Sequence, residues 1–277
     1  MIHTSRQLKA LVRNMSNGDS TQAQIIIRNY IMERFLERIS LSKYKNNFIL
    51  KGGMLVSAMV GLDTRSTMDI DTMIKNLPLS IESVEEILKE IISISIDDGV
   101  TFTIKDISKI MDEAEYGGVR ANLDAMLETM RTPLKVDIST DDVITPHEVL
   151  YSFKLMFEER TISVWAYNLE TVLAEKLETV ITRGTANTRL RDFYDLYILQ
   201  NDYVHTIDME AFRKAFAATC ENRDSAAIVK DSSTILKEIK DSEAMLGLWK
   251  SYQKKFSYAE DISWDMVMQA VQNLCNI

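Results

Sequence analysis

From residue 21 the chain reads TQAQIIIRNYIMERFLERI, with apolar side chains at Ile25, Ile26, Tyr30, Ile31, Phe35 and Ile39. Recurrence at three and four residues puts these on one face of a helix. An amphipathic helix is therefore predicted over 21–39, with Thr21 as its N-cap. The apolar run Phe48–Lys51 enters a Gly52-Gly53 pair and predicts a short buried strand. Residues 54–60 then predict a helix ended by Gly61, and 69–74 a strand closed by Asn76 and Pro78. In SIESVEEILKEIISI, apolar Ile81, Val84, Ile87, Leu88 and Ile91 share a helical face, and Ser83 stands three residues before Glu86 in capping-box spacing. Three partly alternating segments, 100–107, 119–126 and 134–138, predict further strands of one sheet, with Gly117-Gly118 as a turn. Arg120, Asn122 and Asp124 alternate with apolar neighbours, which gives the second of these strands one wet face.

A strand over 161–165 precedes the helical pattern NLETVLAEKLETVITRG, where Asn168 can cap and Gly184 suits the C′ position. Helical periodicity then continues to the end of the sequence. The pattern predicts an α+β (α/β) protein: a mixed-sheet domain with N-terminal helices over 1–166 and a helical domain over 167–277.

Composition narrows the class. The chain has 277 residues, 46% hydrophobic and 26% charged, with only three prolines and nine glycines, so loops should be short. No stretch approaches the ~20 apolar residues of a membrane span, and MIHTSRQLKALVRN lacks an apolar signal core. A cytoplasmic protein without membrane partners is expected. Cys220 and Cys275 lie far apart with no metal-binding spacing, and the 15 methionines read as core filler. The net charge of −9 requires any nucleic-acid contact to be local. Arg183, Arg189 and Arg191 are the candidate phosphate contacts.

The chemistry concentrates in residues 52–71. In a strand, Asp69 and Asp71 project to the same face, and two adjacent carboxylates repel unless a cation lies between them. Mg²⁺, one ion or two, suits such a pair, because it accepts carboxylates completed by water and substrate phosphates. Gly52 and Gly53 allow backbone N–H groups to approach a triphosphate, with Lys51, Arg65, Ser66 and Thr67 beside them. Ser66 and Thr67 either bond phosphate or support the turn. These parts are what a metal-dependent nucleotidyltransferase needs, although a DxD pair also occurs in ordinary solvated turns. Asp137, alone in the apolar run LKVDIST, is either a loop residue or a third carboxylate of the metal site. Lys176 is either a solvated charge paired with Glu175 or Glu178, or a clamp on triphosphate oxygens. In RLRDFYDLY, Asp192 and Asp195 are helical neighbours that either pack with Arg189 or Arg191 or orient Lys176 or a nucleotide hydroxyl. His147 and His205 lack partners at motif spacing.

The segments LKGGMLVSAMVG, RSTMDID, KVDIS and AEKLETVITRGTANTRLRDFYDLYIL, in this order over about residues 47–200, resemble the AbiEii/AbiGii family of nucleotidyltransferase-like toxins. Gly52, Gly53, Asp69 and Asp71 match its glycine-plus-diad motif, Lys176 its lysine motif, and Asp192 or Asp195 the acidic motif that follows. The second position of the first motif is often serine elsewhere in the superfamily; here Gly53 leaves only backbone N–H groups. The resemblance implies a nucleotidyltransferase fold with a helical C-terminal part and a toxin of an abortive-infection, phage-resistance system. It also implies a winged-helix, DNA-binding antitoxin encoded nearby. Relatives transfer nucleotides to tRNA 3′ ends, and others are associated with GTP. NMP transfer from an NTP, GTP or CTP, to a tRNA 3′ end is thus the expected activity. A non-catalytic nucleotide-binding regulator and a small-molecule nucleotidyltransferase are the alternatives.

Overall fold

The computed structural model describes residues 1–110 and 117–275; of the pair predicted as a turn, Gly117 is exposed coil and Gly118 is the first residue of a strand. The chain divides into two compact units. The first comprises 1–62, 66–141 and 149–166; the second comprises 63–65, 142–148 and 167–277.

In the first unit the elements run α1 (Ser5–Met15), α2 (Ser20–Leu41), β1 (Phe48–Lys51), α3 (Gly52–Val60), β2 (Ile70–Ile74) and α4 (Ile81–Ile92), then β3 (Val100–Ile110), β4 (Gly118–Leu127), β5 (Met130–Ser139), β6 (Val149–Lys154) and β7 (Thr161–Ala166). The seven strands form one mixed sheet in the order β3-β4-β5-β2-β1-β7-β6. Strand β2 runs antiparallel to β1 and parallel to β5, and β1 runs parallel to β7. One face carries Leu50, Ile70, Thr72, Ala121, Leu123, Val136 and Ile138, all buried. Helix α2 lies against this face, with the Phe35 and Phe102 rings 5.7 Å apart. The other face carries Lys51, Asp71, Asp137 and Arg120 beside buried Ile49 and Met73, and it holds the candidate site.

The strands were legible to within a few residues, except β6, which the sequence reading passed over. Helix α2 departs from expectation. It starts at Ser20, and Asp19, not Thr21, caps it by accepting from the Thr21 and Gln22 N–H groups at 2.7 and 2.9 Å. Its charged face is buried as deeply as its apolar face: Glu33, Arg34, Glu37 and Arg38 are all at most 6% exposed. Partners distant in sequence make this tolerable. Arg34 donates to Glu158 at 2.9 Å, Arg160 bonds Glu37, and Arg38 forms a two-pronged pair with buried Asp98 at 2.8 and 3.0 Å. Helix α4 is capped by Ser80, whose hydroxyl accepts from the Ser83 N–H at 3.1 Å, so the predicted Ser83–Glu86 capping box is replaced.

The second unit is helical: α5 (Leu169–Arg183), α6 (Leu190–Tyr203), α7 (Met209–Asn222), α8 (Ala226–Val229), α9 (Ser232–Asp241), α10 (Glu243–Lys255) and α11 (Trp264–Cys275). Asn168 caps α5 through the Thr171 N–H at 2.7 Å, and Gly184 ends it, as the sequence predicts. Two short segments, 63–65 and 142–148, also belong to this unit, a division that local periodicity does not signal.

Removing one partner of a buried ion pair leaves a desolvated charge behind. Asp98→Ala should lower the unfolding free energy by about 3–5 kcal/mol in urea denaturation. Glu90→Ala, which breaks the exposed Lys43–Glu90 pair, should leave the urea midpoint nearly unchanged.

Candidate functional site

The polar face of the sheet is organised by register. Lys51 of β1 is opposite Asp71 of β2, Asp71 is opposite Asp137 of β5, and Asp137 is opposite Arg120 of β4. Side chains at paired positions share a face at ~4.8 Å strand spacing, so the sheet presents a row with a cation at each end and two carboxylates in its middle. Asp69, two residues before Asp71, projects from the same face. Lys135, two residues before Asp137, reaches it at 2.9 Å and lies 3.9 Å from Asp137. Arg120 grips Asp137 with Nε and Nη2, each 2.8 Å from a different oxygen. Asp137 is therefore a strand residue, not a loop residue.

The glycine pair is fitted to this row. Gly52 adopts φ +64°, and a Cβ there would lie 2.3 Å from the Asp71 carboxylate oxygen and 2.7 Å from its Cβ. Only glycine allows β1 to turn into α3 this close to the acid. The Gly53 N–H points at the same oxygen, at 3.4 Å. Burial, then the neighbouring Asp137 charge, pushes the Asp71 carboxyl above its ordinary range, and Lys51 offsets part of this.

Ser66 and Thr67 are buried, at 4% and 3% exposure. The Thr67 hydroxyl donates to the Asp69 carbonyl at 3.4 Å, and its own carbonyl accepts from Asn29 at 2.9 Å. This placement gives Thr67 the turn-supporting role among the two readings.

In the second unit, Lys176 is not the solvated charge that spacing allowed. Its ammonium lies 2.8 Å from Asp192 and 2.7 Å from Asp195, while Glu175 and Glu178 pair with Arg223. Asp195 is fully buried and also receives Arg65 through Nε at 2.6 Å and Nη2 at 3.2 Å. Arg65, expected beside the nucleotide, is thus committed to a buried pair. Tyr194, next in sequence to Asp195, donates to the Thr64 carbonyl at 2.6 Å. Burial opposes the charge on Asp195, but Arg65 and Lys176 outweigh it and hold the carboxyl below its ordinary range. Burial likewise opposes the Lys176 ammonium, and Asp192 and Asp195 reverse this, leaving it above its ordinary range. Arg183 lies in the last turn of α5; Arg189 is exposed at the start of α6; Arg191 stacks its guanidinium 5.5 Å from the Phe256 ring centroid.

Among the described residues, no cluster of three or more His, Cys, Asp or Glu side chains is arranged as a metal centre. Asp69 and Asp71 nonetheless suit Mg²⁺, which takes one or two carboxylates and fills its remaining positions with water and phosphate oxygens. The repulsion between Asp71 and the neighbouring Asp137 is what such an ion would relieve. Sequence reasoning missed Lys135 and left Arg120 as a wet-face residue. The available signal was parity: Lys135 shares a face with Asp137, as Asp69 does with Asp71.

Opposite signs are expected for two substitutions. A carboxyl whose folded pKa is raised has its stabilising contribution fully present below the unfolded pKa and loses it as pH rises through the folded value. Asp71→Asn should therefore raise Tm near neutral pH in metal-free buffer. Asp195, with a lowered value, contributes above its unfolded pKa and loses this as pH falls through the folded one. Asp195→Asn, which leaves Arg65 and Lys176 underpaired, should cost about 3–5 kcal/mol near neutral pH. Thermal unfolding of both variants across pH checks the pair.

Two crystal structures from Helicobacter pylori share the fold. The JHP933 protein superposes with a TM-score of 0.53 at 15% identity, over 91% of this chain and 90% of that one. A protein described as a candidate nucleotidyltransferase gives 0.52 at 16% identity, over 91% and 93%. No curated protein sequence matches. The family profile described as nucleotidyl transferase AbiEii toxin, type IV TA system, matches residues 34–270. That span contains the glycine pair, Asp69, Asp71 and Asp137, and the Lys176 cluster, and the chain belongs to the AbiEii nucleotidyltransferase toxin family of type IV toxin–antitoxin systems.

Proposed function

We propose that this NTP-dependent transferase moves a nucleoside monophosphate onto the 3′-hydroxyl of tRNA in the cytoplasm, with Mg²⁺ held by Asp69 and Asp71. The observation that carries this reading is the fit of Gly52 against Asp71, which brings the start of α3 and the carboxylates onto one face of the sheet. The backbone N–H groups of Gly52 and Gly53 and the Lys51 ammonium are assigned to the triphosphate, where helix N-termini and cations favour anions. Within the second unit, Lys176 is held by Asp192 and Asp195 and matches the family's lysine motif, which is the basis for assigning it a phosphate contact.

The acceptor oxygen attacks the α-phosphorus, the bond from that phosphorus to the β-phosphate bridging oxygen breaks, and the hydroxyl proton passes to water. A bound Mg²⁺ supplies Lewis-acid stabilisation of the phosphoryl oxygens and orients the in-line displacement. The protein contributes positioning and a fixed charge pattern. Asp137, with both oxygens engaged by Arg120, is assigned to that pattern and not to ligation. Arg183, Arg189 and Arg191 are assigned to acceptor phosphates, the local contact that a chain of net charge −9 requires. GTP and CTP are the donors to examine first, and a winged-helix protein encoded nearby is the expected antitoxin.

Purified protein incubated with each labelled NTP, Mg²⁺ and total tRNA should place label in tRNA, resolved on a denaturing gel, with one base preferred. Asp69→Asn/Asp71→Asn should abolish transfer and toxicity while remaining folded by circular dichroism. Retained transfer in the folded double variant would refute the assignment. Label in a small molecule would make the acceptor something other than RNA, and nucleotide binding without pyrophosphate release would make the protein a switch.

A further inference from the structure

Around Asp71, the carboxylates Asp69, Asp71 and Asp137 meet the cations Lys51, Lys135 and Arg120, and the formal charges of these six cancel. Asp71 is opposite Lys51 in the strand register, Asp69 is engaged by Lys135 at 2.9 Å, and Asp137 is gripped by Arg120. A divalent ion approaching this face alone gains little Coulomb attraction from a neutral set, and must also separate Lys135 from Asp69. A metal–triphosphate pair meets the same face differently. Its phosphate oxygens accept what Lys135 releases, so the ammonium exchanges one anionic partner for another.

The three cations are not equivalent. Arg120 holds Asp137 with two parallel N–H contacts, a planar fork that resists displacement. Lys135 makes a point contact from a flexible stem and is 31% exposed, so it can turn away at low cost. Its carboxylate is also the one whose neighbour, Asp71, shares the β2 face, while Asp137 is already committed.

We propose that Lys135 is a positioning residue that keeps Asp69 occupied until a metal–triphosphate pair arrives, so that the site takes ion and nucleotide together and has little affinity for the bare ion. This rests on the reading of Asp69 and Asp71 as the metal ligands. It adds a requirement that carboxylate spacing does not impose: ion binding and nucleotide binding are coupled through one side chain. Nucleoside triphosphates already carrying a divalent ion are then the form in which substrate is recognised.

The test uses the full chain at low ionic strength, with Mn²⁺ as the paramagnetic probe and free Mn²⁺ followed by electron paramagnetic resonance without nucleotide. Wild type should bind Mn²⁺ weakly. Lys135→Met and Lys135→Gln, which remove the charge at a part-exposed position, should each bind at least about tenfold more tightly, since one opposed charge at close range is worth roughly that factor. Lys135→Arg keeps the opposed charge in a fork that is harder to displace, and should bind Mn²⁺ no more tightly than wild type. Adding Asp69→Asn/Asp71→Asn to Lys135→Met should abolish the gained binding. Wild type binding Mn²⁺ as tightly as Lys135→Met and Lys135→Gln would overturn the inference. Should that occur while Asp69→Asn/Asp71→Asn still abolishes nucleotide transfer, the metal-ligand reading stands and the role of Lys135 alone falls. Normal transfer by the Asp69→Asn/Asp71→Asn variant would instead remove the reading on which it rests.

Discussion

Asp71 and Asp137 occupy opposed positions on neighbouring parallel strands. Like charges at such spacing repel, and partial burial strengthens the repulsion. The surroundings answer that constraint at each end of the row: Lys51 beyond Asp71, Arg120 beyond Asp137, and Lys135 reaching across to Asp69. A one-residue slip of β5 against β2 would turn Asp137 and Lys135 to the apolar face and Val136 to water. The buried set Ile70, Val136 and Ile138 therefore fixes the register that the polar face needs. Core packing and site geometry are two faces of one sheet.

A related economy operates in the second unit. Asp195 is one buried carboxylate serving two cations, Arg65 and Lys176, and Tyr194 beside it fastens the Thr64 carbonyl. Asp192, 16% exposed, is the partner of Lys176 that solvent and ligands can reach. The two acids that spacing made equivalent are thereby separated: Asp195 anchors and Asp192 remains accessible.

Much of this was legible in residue order. The glycine pair, the strand that carries Asp69 and Asp71, the wet face of β4, and the Asn168 and Gly184 ends of α5 all follow from local rules of periodicity and capping. What escaped was non-local. Helix α2 reads as amphipathic because its charged residues give no sign that Asp98, Glu158 and Arg160, tens of residues away or more, will meet them in the interior. Lys135 and Arg120 join the site only through strand register. Lys176 looked like a solvated charge for the same reason, since its partners arrive from the next helix. Thr21 lost the N-cap to Asp19 because two residues upstream lay a carboxylate able to accept from two N–H groups at once.

A crystal structure of the chain with Mg²⁺ and an α,β-methylene NTP analogue tests most directly where a nucleotide and its ion sit. The account predicts an ion on Asp69 and Asp71, the triphosphate against the Gly52-Gly53 turn, Lys135 turned from Asp69 toward phosphate, and Asp137 still held by Arg120. Nucleotide bound away from the carboxylate row, with Lys135 and Asp69 still paired, would contradict it.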